Sequence, residues 1–299
     1  MRIGLSGGGA TVDRVVAQAE DAERDGFSTL WYSSGAGGDP LVLVALAGRA
    51  TASIELGTAV LPTYPCHPLL LANRAVSVAG AMGRPGLTLG IGPSHAPVIE
   101  GMYGYRYDRP GQHTEEYTRI LVAALTGERV DVDGSLVSAH GQVPRPEAPI
   151  PVLVSALAPR LLRVAGELAT GTVTWMANVR AVESHVAPRI WAAAGTSAPR
   201  IVVGLPVAVH DDVAEAREEA SRQYGFYGAL PNYRRILDVG GAAGPADAVL
   251  VGNEDAVTAQ IRALFDAGAT DVWAAPFGVG DARASRARTR ALLSALARS

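Results

Sequence analysis

A short set of side chains defines the chemistry open to this sequence. The 299 residues carry six His, one Cys and 26 basic residues, every one of them Arg. Without Lys there is no Schiff-base amine and no Walker-type phosphate lysine. Cys66 stands alone, which excludes an internal disulfide and a cysteine-rich zinc or iron–sulfur site. The histidines show neither HxH nor HxxxH spacing, so no metal site is expected. His95, in Gly92-Pro93-Ser94-His95, is the best-placed imidazole, and an imidazole can give or take a proton near neutral pH. The turn Ser155-Ala156-Leu157-Ala158-Pro159 puts Pro at the start of a helix, where free backbone N–H groups can hold a phosphate.

These residues need elements to carry them. Apolar runs at 2–6, 28–32, 54–61, 87–91, 151–155, 172–175, 201–209 and 271–275 read as strands, each followed by a helical pattern. The strands lack clean alternation, as expected when both faces of a parallel sheet are covered. Eight such β/α units over this length predict an α/β fold, a (β/α)₈ TIM barrel forming a single domain over 1–299. A doubly wound sheet is the rival, but Gly4-Leu5-Ser6-Gly7-Gly8-Gly9 does not fit its GxGxxG turn. Two connections are extended, after strand four (92–151) and after strand seven (209–271). The first should hold a helix at 114–125 and a hairpin turning at Asp133-Gly134. The second carries a Tyr- and Arg-rich stretch at 224–238, a candidate to cover a ligand or to face a second copy.

Chemistry in such barrels sits at the C-terminal strand ends. No end here offers a paired Asp or Glu, which argues against a glycosidase or an enolase-type metal site. A small, hydroxylic and apolar mouth suits a large planar cofactor that performs the chemistry itself. Apolar residues make up 48% and charged residues 18%, and the net charge is −3. That composition predicts a buried core and no nucleic-acid or anionic-membrane partner. With no apolar run of about 18 residues and no leader pattern, a cytoplasmic protein is expected.

Four stretches carry a family likeness in order and spacing: Gly57-Thr58-Ala59-Val60-Leu61-Pro62, Leu87-Thr88-Leu89-Gly90-Ile91-Gly92, 151–159 and 165–175. Over most of its length the chain resembles the bacterial luciferase-like superfamily, specifically its coenzyme F420-dependent oxidoreductases. The resemblance implies a barrel that binds F420, or alternatively FMN, and that is often a homodimer. It implies a cis peptide at Ala59–Val60 backing the deazaflavin ring. It places the cofactor phosphate at Ser155, Ala156, Leu157 and Ala158, with Thr174 and Trp175 along the side of the cofactor and Ser6 and Ser34 at the mouth. The position of His95 resembles one that an acidic catalytic residue occupies in F420-dependent sugar-phosphate dehydrogenases. Those enzymes also have an Asp-His pair after the second strand, where this chain has Ser33-Ser34 followed by Gly35-Ala36-Gly37-Gly38. They use Lys for the substrate phosphate, and this chain has none. The expectation is therefore hydride transfer from reduced F420 to a C=C or C=N bond of a small, less charged substrate, with His95 either the general acid or a cofactor-binding residue that only hydrogen-bonds the cofactor. An FMN-dependent monooxygenase and a non-catalytic flavin-binding barrel are the alternatives. Cys66-His67 is expected to cap the third helix or to be buried, and Tyr107-Asp108-Arg109-Pro110 to open the next one.

Overall fold

The computed structural model describes residues 1–34 and 38–299. Residues 35–37, part of the Gly-rich run after the second strand, lie outside them. Eight parallel strands close into a barrel: β1 (Ile3–Gly7), β2 (Thr29–Tyr32), β3 (Glu55–Thr58), β4 (Leu87–Gly92), β5 (Val152–Val154), β6 (Gly171–Trp175), β7 (Arg200–Val209) and β8 (Asp271–Pro276). The ring closes because β1 pairs with both β2 and β8, while β7 pairs with both β6 and β8. The fold is the (β/α)₈ barrel that the strand pattern predicts.

Alternation along each strand sorts side chains between two cores. Ile3, Leu5, Leu30 and Val203 point outward into the helix layer. Trp31, Leu153, Val173, Val202 and Trp273 point inward and fill the lumen. Two glycines make room for the indoles. A Cβ on Gly57 would stand 2.3 Å from the Trp31 ring, and one on Gly204 would stand 2.3 Å from the Trp273 ring. The helices form for local reasons as well. In the helix Val12–Arg24, Thr11 caps the first turn by accepting from Arg14 N–H, and Val15, Ala19 and Ala22 face the barrel.

The base of the barrel is ionic. Arg200, Glu55 and Asp271 each open a strand there, and Arg2 precedes β1. Arg200 donates to Asp271 at 2.6 and 3.0 Å and to Glu55 at 2.5 and 3.1 Å. Arg2 bonds the same two carboxylates. Thr88 and Thr270 hydroxyls donate to Glu55 and Asp271. Burial pushes the Asp271 carboxyl up, but the Arg200 and Thr270 hydrogen bonds outweigh it and hold it below the usual range. The Arg200 guanidinium lies 5.7 Å from the Trp31 ring centroid, so the plug is continuous with the aromatic lumen above it.

Three local features differ from the sequence expectation. The third strand stops at Thr58 and resumes as Leu61–Pro62 beside β4, a break the continuous apolar run does not show; the Ala59–Val60 peptide between them is cis, as the resemblance implies. A short strand, Leu250–Gly252, extends the sheet beside the far end of β7. Its three residues are too few to show a period, and it exists because β7 runs past its barrel neighbours and leaves an edge to pair with. The hairpin in the first long connection pairs Val130–Val132 with Ala139–Gly141. Its turn spans residues 133–138, wider than a two-residue Asp-Gly turn, because Glu116 accepts from the N–H groups of Leu136 and Val137 and holds the loop out. Among the described residues no helix is long and apolar enough to cross a membrane.

Candidate active site at the barrel mouth

A cleft opens at the C-terminal ends of β4 and β5. Val60 forms one wall, and Ser155, Leu157, Ala158 and Leu161 form another. His95, Asn232 and Tyr233 cover it. Among the described residues no Asp, Glu or Arg lines it.

His95 reaches this position through a local backbone feature. Ser94, just past β4, has φ of 63°, a left-handed conformation uncommon for a residue with a Cβ. The Tyr107 hydroxyl donates to Ser94 O at 2.8 Å and pins the turn. The imidazole then lies 5.3 Å from the Tyr233 ring, centroid to centroid. Burial lowers its pKa below the ordinary value, because a charged imidazole loses hydration there. Met176, just past β6, has the same left-handed φ of 63°.

Across the cleft, β5 runs into the helix Pro159–Leu168. Ala158 is its N-cap residue, and no side chain caps it. Pro159 has no N–H, and Leu162 N–H already bonds Ala158 O. The N–H groups of Arg160 and Leu161 are left without intrahelical acceptors, at the positive end of a ten-residue helix. The Arg160 side chain turns away to Glu115. His185 bonds Leu157 O at 2.8 Å and fixes the loop from behind.

The bulge between β3 and the Leu61–Pro62 strand faces this turn. Ser34 Oγ donates to Val60 O at 3.0 Å, and Ala59 N–H donates to Tyr32 O at 2.8 Å. Ala59 packs in the lumen against Trp31. Ser6 Oγ lies deeper and accepts from Trp273 Nε1 at 2.9 Å. Trp175 stands at the end of β6, 5.0 Å from Trp273.

The structure therefore brings together Val60, His95, Ser155, Leu157 and Ala158 around one cleft, with Ser34, Ala59, Ser6 and Trp175 next to it or beneath it. It does not bring in Thr174 or Ala156. Thr174 alternates with the inward-facing Val173 and Trp175, so its side chain points outward, where its hydroxyl donates to Val202 O at 3.4 Å. Ala156 is fully buried in the outer core.

His67 caps the helix Pro68–Met82 and bonds Ser138 O, and Arg109 and Pro110 open the helix Pro110–Leu125. His210 pairs with Glu215 at 2.8 Å.

The Tyr-rich stretch proves to be a cover. A tight turn at Gly225–Ala229 and a helix at Pro231–Val239 lay Tyr227 against Trp175, at 6.0 Å, and Tyr233 against His95. Asn232 and Leu161 were not expected in the cleft. Leu161 is hidden in a helical repeat and Asn232 in a distant connection, and neither type signals chemistry by itself. The lumen indoles Trp31 and Trp273 had a readable signal, a large aromatic residue paired across strands with a glycine.

This geometry can be set beside that of known proteins. The family model for luciferase-like monooxygenases matches residues 2–299. The chain belongs to the luciferase-like monooxygenase family. An F420-dependent hydroxymycolic acid dehydrogenase of Mycobacterium tuberculosis is 29% identical over 287 residues, 86% of this chain and 77% of the relative. The coenzyme F420-dependent tetrahydromethanopterin reductase of Methanopyrus kandleri superposes with a TM-score of 0.80 at 18% identity, over 98% of this chain and 97% of that one. The oxygenating constituent of 3,6-diketocamphane monooxygenase from Pseudomonas putida, a type II Baeyer–Villiger enzyme in complex with FMN, superposes with a TM-score of 0.74 at 20% identity, over 98% and 96% of the two chains. The sequence relatives of this luciferase-like protein include F420-dependent oxidoreductases, and its fold neighbours include both F420- and FMN-containing enzymes.

Proposed function

We propose that this protein is an F420-dependent oxidoreductase that transfers hydride from the reduced cofactor to a C=C or C=N bond of a small organic substrate. The observation that carries the reading is the cleft itself: an imidazole and an uncapped helix N-terminus face each other across the Ala59–Val60 bulge. The residues fit a phosphate-bearing deazaflavin. The free N–H groups of Arg160 and Leu161, with Ser155 and Ala158 beside them, would hold the phosphate. Ala59 and Val60 would back the ring, and the uncharged lining suits a flat aromatic body. When bound, F420 supplies a two-electron hydride donor that reacts poorly with oxygen.

The chain's own part is positioning and one proton. Hydride added to one end of the double bond leaves an electron pair at the other end, and His95 gives that end its proton. The imidazole is then reprotonated from solvent through the mouth. Holding both partners in register supplies much of the rate.

The FMN-containing fold neighbours favour a second reading, an FMN-dependent monooxygenase. Titration of the purified protein with F420 and with FMN separates the two. Tighter binding of F420 is expected, and tighter binding of FMN overturns the assignment. Binding of F420 without turnover of any reducible substrate would leave a flavin-binding barrel that is not an enzyme.

We also propose a homodimer. Val42, Leu46 and Leu70 expose apolar side chains on the neighbouring helices Pro40–Ala50 and Pro68–Met82. Light scattering at micromolar concentration should give twice the 30.9 kDa chain mass.

A further inference from the structure

The mouth holds a buried donor that its own residues leave unused. Trp175 Nε1 is shut off from solvent and has no hydrogen-bond acceptor among the described residues. Buried N–H groups are nearly always paired, so an orphan at a ligand site points to an acceptor that arrives with the ligand. The Tyr227 hydroxyl is its polar neighbour. Burial raises the Tyr227 pKa, and the Trp175 N–H offsets part of that rise. The two groups therefore sense each other without forming an aligned bond.

Rings continue from this point to the imidazole. Tyr227 meets Trp175 edge-on, at 63°, and meets Tyr233 at 4.8 Å, and Tyr233 in turn meets His95 at 5.3 Å. Phe226 lies against Tyr227 at 4.0 Å and Trp273 against Trp175 at 5.0 Å, so a flat partner in the place of the Tyr227 ring would be bordered by aromatic rings. Among the described residues no Asp, Glu or Arg lines the adjoining cleft. A carboxylate or ammonium group placed there would lose its hydration and gain no counter-charge.

We infer that this aromatic wall recognises a flat, uncharged, conjugated carbonyl compound. Its oxygen accepts from Trp175 Nε1, and its ring system takes the place that the Tyr227 side chain fills in the free protein. The inference rests on the oxidoreductase reading and narrows it, because a carbonyl conjugated to C=C is what activates that bond toward hydride. Tyr227 is then a placeholder, and Trp175 a specificity residue.

The test is binding, read by quenching of Trp emission. Trp31, Trp175 and Trp273 share the lumen, whereas Trp191 is 48% exposed on an outer helix and gives a steady background. The probes are 1-acetonaphthone, naphthalene and 1-naphthoate, each titrated with and without F420. The ketone should bind at least tenfold tighter than either of the others. Trp175→Phe keeps the ring and removes the N–H, and should bring the ketone-to-naphthalene ratio close to one. Tyr227→Ala should tighten ketone binding severalfold.

A wild-type ratio below two overturns the inference without any variant, as does best binding of the naphthoate. A ratio unchanged in Trp175→Phe overturns it too. Loss of F420 affinity in Trp175→Phe with ketone binding intact would assign the N–H to the cofactor, and also overturns it. Failure of F420 to bind while ketone selectivity persists supports the wall and counts against the cofactor reading, so the two failures are distinguishable.

Discussion

The two ends of the barrel are built on opposite principles. At the base, Arg200, Arg2, Glu55 and Asp271 form a paired ionic cluster in which each carboxylate meets two guanidinium groups. At the mouth, the lining is aromatic, aliphatic and hydroxylic, and its titratable side chains are an imidazole with a lowered pKa and phenols held neutral by burial. The base spends its charges on one another, so it fixes geometry and has nothing left to offer a ligand. Among the described residues the mouth leaves an indole N–H and a helix terminus uncommitted beside the His95 imidazole, the groups that the proposed function would use. Substitutions at the two ends should therefore separate stability from activity.

The largest effect is expected at the mouth. His95→Ala should lower turnover by ~10²–10⁴-fold if it supplies the proton, with cofactor affinity and unfolding midpoint little changed. Collapse of F420 affinity with turnover at saturation intact would make His95 a cofactor ligand instead. The pH profile sharpens the same point. A general acid works in its protonated form, and burial lowers the His95 pKa, so the falling limb of kcat should begin below the ordinary imidazole value and drop about tenfold per pH unit above it. A limb centred well above neutrality would point to a different donor.

Next comes the base. Arg200→Met leaves Asp271 buried without its main partner and should cost about 3–5 kcal/mol in chemical denaturation. F420 affinity of the folded fraction should stay within about twofold of wild type. A large loss of affinity at full folding would break the division of labour between the two ends.

Ala158→Asp tests the helix terminus. The added carboxylate should meet the cofactor phosphate and weaken binding by at least about tenfold, while helping the uncapped helix by ~0.3–1 kcal/mol. Affinity and thermal stability should thus move in opposite directions. Unchanged affinity would place the phosphate elsewhere.

The smallest effect concerns acid. Glu23 braces the approach to β3 by accepting from the N–H groups of Ala52, Ser53 and Ile54. Burial raises its pKa, but these bonds outweigh it and bring the carboxyl down to about 2 from the ordinary 4.5. A depressed folded pKa means stabilisation that is complete above the unfolded value and lost as pH falls toward the folded one. Glu23→Gln should therefore flatten the loss of stability between about pH 4.5 and 2 relative to wild type.

The barrel was legible because its signal is repeated. Eight apolar strands and their helices speak with one period, and each supports the reading of the next. The short strand Leu250–Gly252 was not legible, since its pairing depends on how far β7 projects and not on its own residues. The site was legible in part. Ser155 to Pro159 announces a helix start in local terms, and His95 is visible as an imidazole past a strand. The resemblance puts Thr174 beside the cofactor, yet strand alternation turns it away. The cover over the cleft comes from a connection far along the chain, and its seat on Trp175 and His95 is a tertiary fact.

The ionic base also governs traffic. Among the described residues, paired charges close the barrel floor and indoles pack above them, so the floor offers a ligand no ready way in. On the proposed function, cofactor and substrate would both enter by the mouth, and whichever sat deeper would load first and leave last. The order of binding would then be a property of the architecture, decided at the end of the barrel opposite the proposed site.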